Sequence, residues 1–167
     1  MNRLDADACA LAQRILSSTQ DLTLASVRAD GSPHASTLNF ASDGLTIYAA
    51  ISLDGEKAHE ISHDDRVGLT VNLPYTDWSA IQGLSIHGRA QFVSGQDELI
   101  TVAALLRKKL PAYDSIIARP DILPWPGMLF LRIVPHHLAL IDYTIAYGHT
   151  RYFALDDAAI VGWTRPV

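Results

Sequence analysis

The segment His59-Glu60-Ile61-Ser62-His63 is a literal H-E-x-x-H motif. On a helix this spacing puts two imidazoles on one face, beside a carboxylate that can serve as the general base at zinc. The helix predicted here is short, however, and Asp64-Asp65-Arg66 ends it at once. The longer zinc pattern needs glycine where Arg66 stands, and the sequence announces no third ligand. We therefore predict no metal and assign the motif to a solvated helix face.

Lys57 is a second residue whose position suggests chemistry. It stands at the start of the predicted helix Gly55–His63, where the first backbone N–H groups have no intrahelical acceptor. An ammonium beside such groups forms a site for an anion, above all for a phosphate. Ser52 and Gly55 are small enough to let a ligand approach the backbone. From the sequence alone, an ordinary surface lysine is the better supported of the two interpretations.

Four extended runs hold this helix in place. They are Leu22–Arg28, His34–Phe40, Leu45–Ile51 and Val67–Leu73. The turns between the first three are Asp30-Gly31-Ser32-Pro33 and Ser42-Asp43-Gly44, whose residue types favour tight reversals. The pattern predicts an antiparallel meander, and from it a small β-barrel with a cleft large enough for a cofactor.

The rest of the chain predicts further strands and two further helices. The helices are Asp5–Ser17 and Gln96–Leu110, the strands are Ile81–Ser94, Met128–Val134 and His137–Asp142 with a break at Pro135, and short strands follow at Arg151–Leu155 and Ala159–Gly162. The proline-containing segment Ala112–Gly127 predicts an irregular loop. We predict one α+β domain over residues 1–167, with a barrel of six or more strands and two or three peripheral helices.

Composition excludes several classes of protein. A net charge of −5 over 167 residues, without a basic stripe, argues against nucleic-acid binding. The single cysteine, Cys9, excludes an internal disulfide and fits a reducing compartment. The apolar runs are too short to span a bilayer, and Met1–Ala10 lacks the apolar core of a signal peptide. We expect a cytoplasmic protein that does not bind membranes.

Several short motifs, in their order along the chain, resemble one known family. They are Leu24-Ala25-Ser26-Val27, Asp30-Gly31-Ser32-Pro33-His34, Asp43-Gly44-Leu45, Lys57, Asp65-Arg66-Val67-Gly68-Leu69-Thr70-Val71, Gly88-Arg89-Ala90 and Ile141-Asp142-Tyr143. Together they resemble the FMN-binding split β-barrel family named for pyridoxamine 5′-phosphate oxidase. The resemblance implies a Greek-key-like split barrel that forms a homodimer with FMN in clefts at the interface. It also implies a flavin-dependent oxidoreductase acting on an unidentified small molecule, with NADH or NADPH as the candidate electron donor.

The resemblance also implies which residues bind the cofactor. Lys57 would contact the flavin phosphate, and Gln82 would bond the flavin of the partner subunit. The second strand would meet the ring and the phosphate through His34, Ser36, Thr37 and Leu38, and the facing strand would supply Tyr48, Ala49, Ala50, Ile51 and Ser52. Ser36 and Thr37 also fit plain alternation on a β-surface. Catalytic residues stay unassigned, because flavin chemistry needs no side-chain nucleophile here.

Two departures from the family pattern narrow the function. Ser36 and Ala41 stand where the vitamin-B6 oxidases carry a basic pair, and Tyr152–Val167 lacks their Arg- and Trp-rich substrate segment. A true pyridoxamine-phosphate oxidase is therefore not expected. Two alternatives stay open: a barrel that binds haem or the deazaflavin F420, and a non-catalytic flavin-binding module. For haem, His149 or His136 would be the candidate iron ligand.

Overall fold

The computed structural model describes residues 4–155 of the chain. This range contains eight β-strands, four α-helices and one turn of 3-10 helix at Trp78–Ala80. The strands are β1 (Asp21–Val27), β2 (Pro33–Asn39), β3 (Ala41–Asp43), β4 (Thr46–Ser52), β5 (Arg66–Asn72), β6 (Gln82–Phe92), β7 (Met128–Asp142) and β8 (Thr150–Ala154). The helices are α1 (Ala6–Ser18), α2 (Glu56–His63), α3 (Gln96–Lys109) and the four-residue α4 (Tyr113–Ile116).

All eight strands join one antiparallel sheet in the order β2-β1-β5-β6-β7-β4-β3, with β8 added to β7. The predicted second turn at Ser42-Asp43-Gly44 is present, with Gly44 at φ +58°, but it joins the short β3 to β4. The predicted pairing of the second run with the third, and of the third with the fourth, is wrong. β4 pairs with β7 instead of β2, as Ala49 opposite Leu131 shows. β5 returns to β1, where Thr70 lies opposite Thr23. These long-range pairings curl the sheet into the predicted α+β split β-barrel.

Alternating side chains divide the sheet into an apolar inner face and an outer face. In β1, Leu22 and Leu24 are buried while Asp21 and Thr23 are exposed. α1 adds its apolar stripe, which includes Ile15 and Leu16, to the same interior cluster. A second apolar cluster joins α3 to Tyr48, Trp125 and Phe130. The barrel thus has one core inside and a smaller one beneath α3.

β7 is one continuous strand of 15 residues, so the predicted break at Pro135 is wrong. Pro135 lies opposite Gly88, where the register of β6 shifts between His87 and Gly88. A bulge leaves one residue outside the regular ladder, and a proline that lacks an N–H is tolerated there. A Cβ at Gly88 would lie 2.2 Å from the carbonyl oxygen of Val134, so glycine is needed for this close approach.

The predicted first turn is present. Gly31 has φ +83°, and the carboxylate of Asp30 accepts a hydrogen bond from the Ser32 N–H at 2.9 Å. The predicted loop Ala112–Gly127 contains the short helix α4. Of the two predicted tail strands, the first is β8 and the second, Ala159–Gly162, lies outside the described residues. Among residues 4–155, no helix has the length and apolar character needed to cross a membrane.

Candidate functional site

A cleft of about 230 Å³ opens where β2, the end of β4 and the start of α2 meet. The residues that line it are Leu38, Ala50, Ile51, Ser52, Gly55, Glu56 and Lys57. Five of the predicted cofactor-binding residues come together here: Leu38, Ala50, Ile51, Ser52 and Lys57. The cleft therefore combines apolar strand residues on one side with the charged first turn of a helix on the other.

The turn between β4 and α2 shapes the positively polarised end of the cleft. The N–H of Gly55 donates to the carbonyl of Ser52 at 3.2 Å, and the Ala58 N–H donates to the carbonyl of Gly55 at 3.0 Å. The Leu53 N–H donates to the Gly127 carbonyl at 2.9 Å, which ties this turn to the loop before β7. The first N–H groups of α2, with their partial positive charge, thus lie beside Lys57.

Glu56 brings a negative charge to the same cleft, opposite in sign to that of Lys57. Its side chain is 72% exposed, and one carboxylate oxygen lies 3.8 Å from His34 Nε2 and 3.9 Å from Arg28 Nη2. Because these contacts are long and exposed to solvent, they offset only part of the negative charge of the Glu56 carboxylate. An anionic ligand in the cleft would therefore meet an attractive Lys57 and a repulsive Glu56.

Glu60 lies one helical turn further and is buried, with 6% of its side chain exposed. Its carboxylate accepts a hydrogen bond from Ser26 Oγ at 2.6 Å and lies 2.9 Å from His34 Nδ1 and 3.5 Å from Arg28 Nε. Burial raises the pKa of Glu60, but the hydrogen bonds from Ser26 and His34 and the charge of Arg28 outweigh it, so the pKa lies below its usual value. The predicted solvated face is wrong for Glu60, while His59 and His63 are exposed.

His34, Glu56 and Glu60 bring possible metal-ligand atoms within 4.8 Å of one another. The Arg28 guanidinium lies beside both carboxylates and already supplies the positive charge that a metal ion would bring. Hydrogen bonds and ion pairs thus join the two acids to Arg28 and His34 in one cluster. Sequence reasoning missed it, because Glu60 lies 26 residues from His34 and 34 from Ser26.

The remaining predicted residues lie outside this cleft. His34 bonds Glu60, Thr37 is exposed, and Ser36 shares the half-buried face of β2 with His34 and Leu38. Gln82 accepts from Arg14 at 2.7 Å and donates to Asp142 at 2.9 Å.

Two of these residues, both on β4, are buried away from the cleft. Tyr48 packs in the cluster under α3, and Ala49 is fully buried. Burial and the charge of Glu98 raise the pKa of Tyr48 to about 12, so it stays protonated across the physiological range.

A larger open groove of about 890 Å³ crosses the sheet. All of its lining residues belong to strands except Leu155, which follows β8. Three imidazoles, those of His87, His136 and His137, lie along it with Arg66 and Arg89. The two guanidiniums are paired at 2.5 Å, Arg66 with Asp64 and Arg89 with Asp65. His149, the other predicted iron ligand, lies outside the groove.

The sheet order and the cleft at the start of α2 define a split β-barrel protein. A sequence model described as pyridoxamine 5′-phosphate oxidase matches residues 10–133. The chain belongs to the pyridoxamine 5′-phosphate oxidase family.

Solved structures share this fold. A heme binding protein from Mycobacterium smegmatis matches 92% of this chain at 20% identity and a TM-score of 0.74, and the match covers only 60% of that longer chain. A conserved hypothetical protein from Mycobacterium tuberculosis matches 95% of this chain and 100% of its own, at 20% identity and a TM-score of 0.70. HutZ, a heme storage protein from Vibrio cholerae, matches 80% of this chain and 91% of its own, at 19% identity and a TM-score of 0.60. Comparison with curated proteins finds no match.

Proposed function

We propose that this protein binds FMN and is a flavin-dependent oxidoreductase acting on a small molecule, with the cofactor at a homodimer interface. The observation that carries the proposal is the cleft in which Lys57 and the start of α2 face Leu38 and Ala50. An ammonium beside free backbone N–H groups is the arrangement that phosphates bind. Membership of the family supports FMN as the phosphorylated ligand.

The size of the cleft supports a cofactor shared between two subunits. A cleft of about 230 Å³ is smaller than the range of about 300–1,000 Å³ that encloses small ligands and cofactors. It suits a phosphate and the chain next to it, and a tricyclic ring would extend past the cleft. The part of the ligand that extends past the cleft would then be covered by a second copy of the chain, as a two-fold interface allows.

In this proposal the chain's own residues bind and orient the cofactor. Lys57 holds the phosphate, while Leu38 and Ile51 exclude water from one side of the ligand. Bound FMN supplies the hydride or electron transfer. No side chain in the cleft is assigned as a general base.

The first experiment compares FMN with riboflavin, which lacks the phosphate. Lys57→Ala should weaken FMN at least about tenfold and riboflavin less than about twofold, because only the phosphate loses a charge-assisted contact. Lys108→Ala, at an exposed lysine of α3, is the matched control and should change neither affinity. Equal losses for both ligands would remove Lys57 from this role, and wild-type protein without a preference for FMN would overturn the proposed function.

Two further measurements test the other parts of the proposal. Sedimentation of the purified protein should give a dimer. Loss of the flavin band at about 450 nm on addition of NADH or NADPH would separate an enzyme from a passive flavin-binding module. A monomer at all concentrations would contradict the shared site.

The groove favours haem as a second candidate ligand. About 890 Å³ is enough for a tetrapyrrole, and imidazoles such as that of His136 are axial ligands of haem iron. Two of the structurally similar proteins are named for heme. Haem should give a band at about 400 nm that His136→Ala removes or shifts, with Thr23→Ala on β1 as control. Without such a band on haem addition, this candidate fails.

A further inference from the structure

We propose that Glu60 is a positioning residue for the phosphate site: it anchors α2 so that Lys57 and the first N–H groups of the helix face the cleft. This inference rests on the proposed function. Its basis is a buried carboxylate that joins α2 to the β1–β2 hairpin, one helical turn from the residues that would meet the phosphate.

α2 depends on its surroundings to stay in place. It has only eight residues, and helices of this length are not stable alone in water. Ala58 and Ile61 bury its apolar side against the barrel core. Such contacts fix which side of the helix faces the core, but two apolar side chains without directional bonds leave room for small rotations and shifts of the helix.

Glu60 supplies the directional contacts. Ser26 and His34 lie opposite each other in the β1–β2 register, and the carboxylate bonds both side chains at once. Hydrogen bonds between an ionised group and its partners are short and geometrically demanding. A carboxylate that bridges a cross-strand pair therefore fixes both the rotation of α2 and its distance from the hairpin.

The same hairpin forms the other wall of the cleft. His34, Ser36 and Leu38 alternate along one side of β2, and Leu38 lines the cleft opposite Lys57. Glu60 therefore joins α2 and β2 at one end, and the other ends of these two elements enclose the ligand. Loss of this contact would let α2 turn or lift away and carry Lys57 out of reach of a phosphate.

The bond between Glu60 and the hairpin also accounts for the burial of an acidic side chain. Glu60 is one of two buried acidic residues among residues 4–155. A buried carboxylate without partners would be strongly unfavourable, whereas Ser26, His34 and Arg28 satisfy this one. Glutamine keeps the size and one acceptor oxygen, so Glu60→Gln should retain part of the anchoring.

The test measures FMN and riboflavin affinity together with amide hydrogen exchange in α2. Glu60→Ala should weaken FMN about tenfold or more and riboflavin less than about twofold, and Glu60→Gln should lie between it and the wild type. In both variants the amides of α2 should exchange faster while those of α3 do not change. If Glu60→Ala does not fold, Ser26→Ala replaces it in the same measurements, because it removes one hydrogen-bond partner of Glu60 and keeps the carboxylate.

Glu98→Gln is the matched control. Glu98 is a partly buried carboxylate on α3 that pairs with Arg132 at 3.1 Å and does not line the cleft, so its loss should leave the FMN-to-riboflavin ratio unchanged. Unchanged exchange in α2, or an equal loss of both ligands, overturns the role of Glu60. If α2 loses protection but the wild type does not prefer FMN to riboflavin, the proposed function fails together with the phosphate role, and the anchoring of α2 stands.

Discussion

The ammonium of Lys109 lies 3.6 Å from the centroid of the Phe40 ring and donates a hydrogen bond to the carbonyl of Leu16 at 2.7 Å. Phe40 is fully buried, so the charged end of α3 is held against the barrel wall and the last turn of α1. The ring face and the carbonyl both favour the ammonium form. Burial outweighs them and lowers the pKa of Lys109 to about 8.

This lowered pKa makes stability depend on pH. Between pH 8 and the usual lysine value of 10.5, the unfolded chain binds more protons than the folded one, so stability rises with pH. We expect the free energy of unfolding of the wild type to rise relative to Lys109→Met between about pH 8 and 10, by on the order of 1 kcal/mol per pH unit. Urea denaturation across this range measures it, with the exposed Lys108→Met as control. A constant difference between wild type and Lys109→Met would contradict the pKa.

Gly88→Ala should be severely destabilising. The new Cβ would stand 2.2 Å from the Val134 carbonyl oxygen, which belongs to the backbone opposite the bulge and cannot move without opening the β6–β7 pair. We expect a loss of about 3 kcal/mol in the free energy of unfolding, measured with urea.

Gly68 on β5 provides the matched control for this prediction. A Cβ there would meet its nearest atoms at 4.0 Å, which is ordinary contact, so Gly68→Ala should change stability by less than about 1 kcal/mol. Similar effects of the two substitutions would show that the bulge accommodates a side chain.

Glu56→Gln should strengthen the binding of phosphorylated ligands. Glu56 lines the cleft with Lys57, and its negative charge opposes that of a phosphate. Removing it should raise FMN affinity at low salt by only about two- to fivefold, because the side chain is exposed and well screened. Riboflavin affinity should not change, because riboflavin has no phosphate. The gain should disappear at about 1 M salt. A gain that persists there, or that extends to riboflavin, would contradict an electrostatic cause.

The sequence predicts the local elements well because their signals are local. The apolar period of α1, the Asp30-Gly31 turn and the start of α2 at Gly55 each depend on neighbouring residues. Strand partners do not: the pairing of β4 with β7 is selected by packing across the whole barrel. The predicted break at Pro135 is wrong for the same reason, since the bulge that tolerates the proline is formed with Gly88 on another strand.

The candidate site likewise combines features that depend on neighbouring residues with features that depend on residues far away in sequence. The turn and helix signals place Lys57 at the start of α2 and Ser52 just before it, and the structure brings both to the cleft, but their assignment to a cofactor comes from the family resemblance. The burial of Glu60 could not be foreseen, because the hydroxyl and imidazole that satisfy it come from a hairpin far away in sequence. The family resemblance predicts that Tyr48 contacts the cofactor, whereas the structure buries it against α3.

The hydrogen bond between Leu53 and Gly127 couples the end of the proline-containing loop to the turn before α2. A surface loop normally tolerates insertions and exchange between homologues. Here the carbonyl of the last loop residue accepts a hydrogen bond from the turn that leads into α2, so a loop of different length would shift this turn and the cleft beside it. Insertions are therefore better placed in the middle of the loop, with its final residues left unchanged.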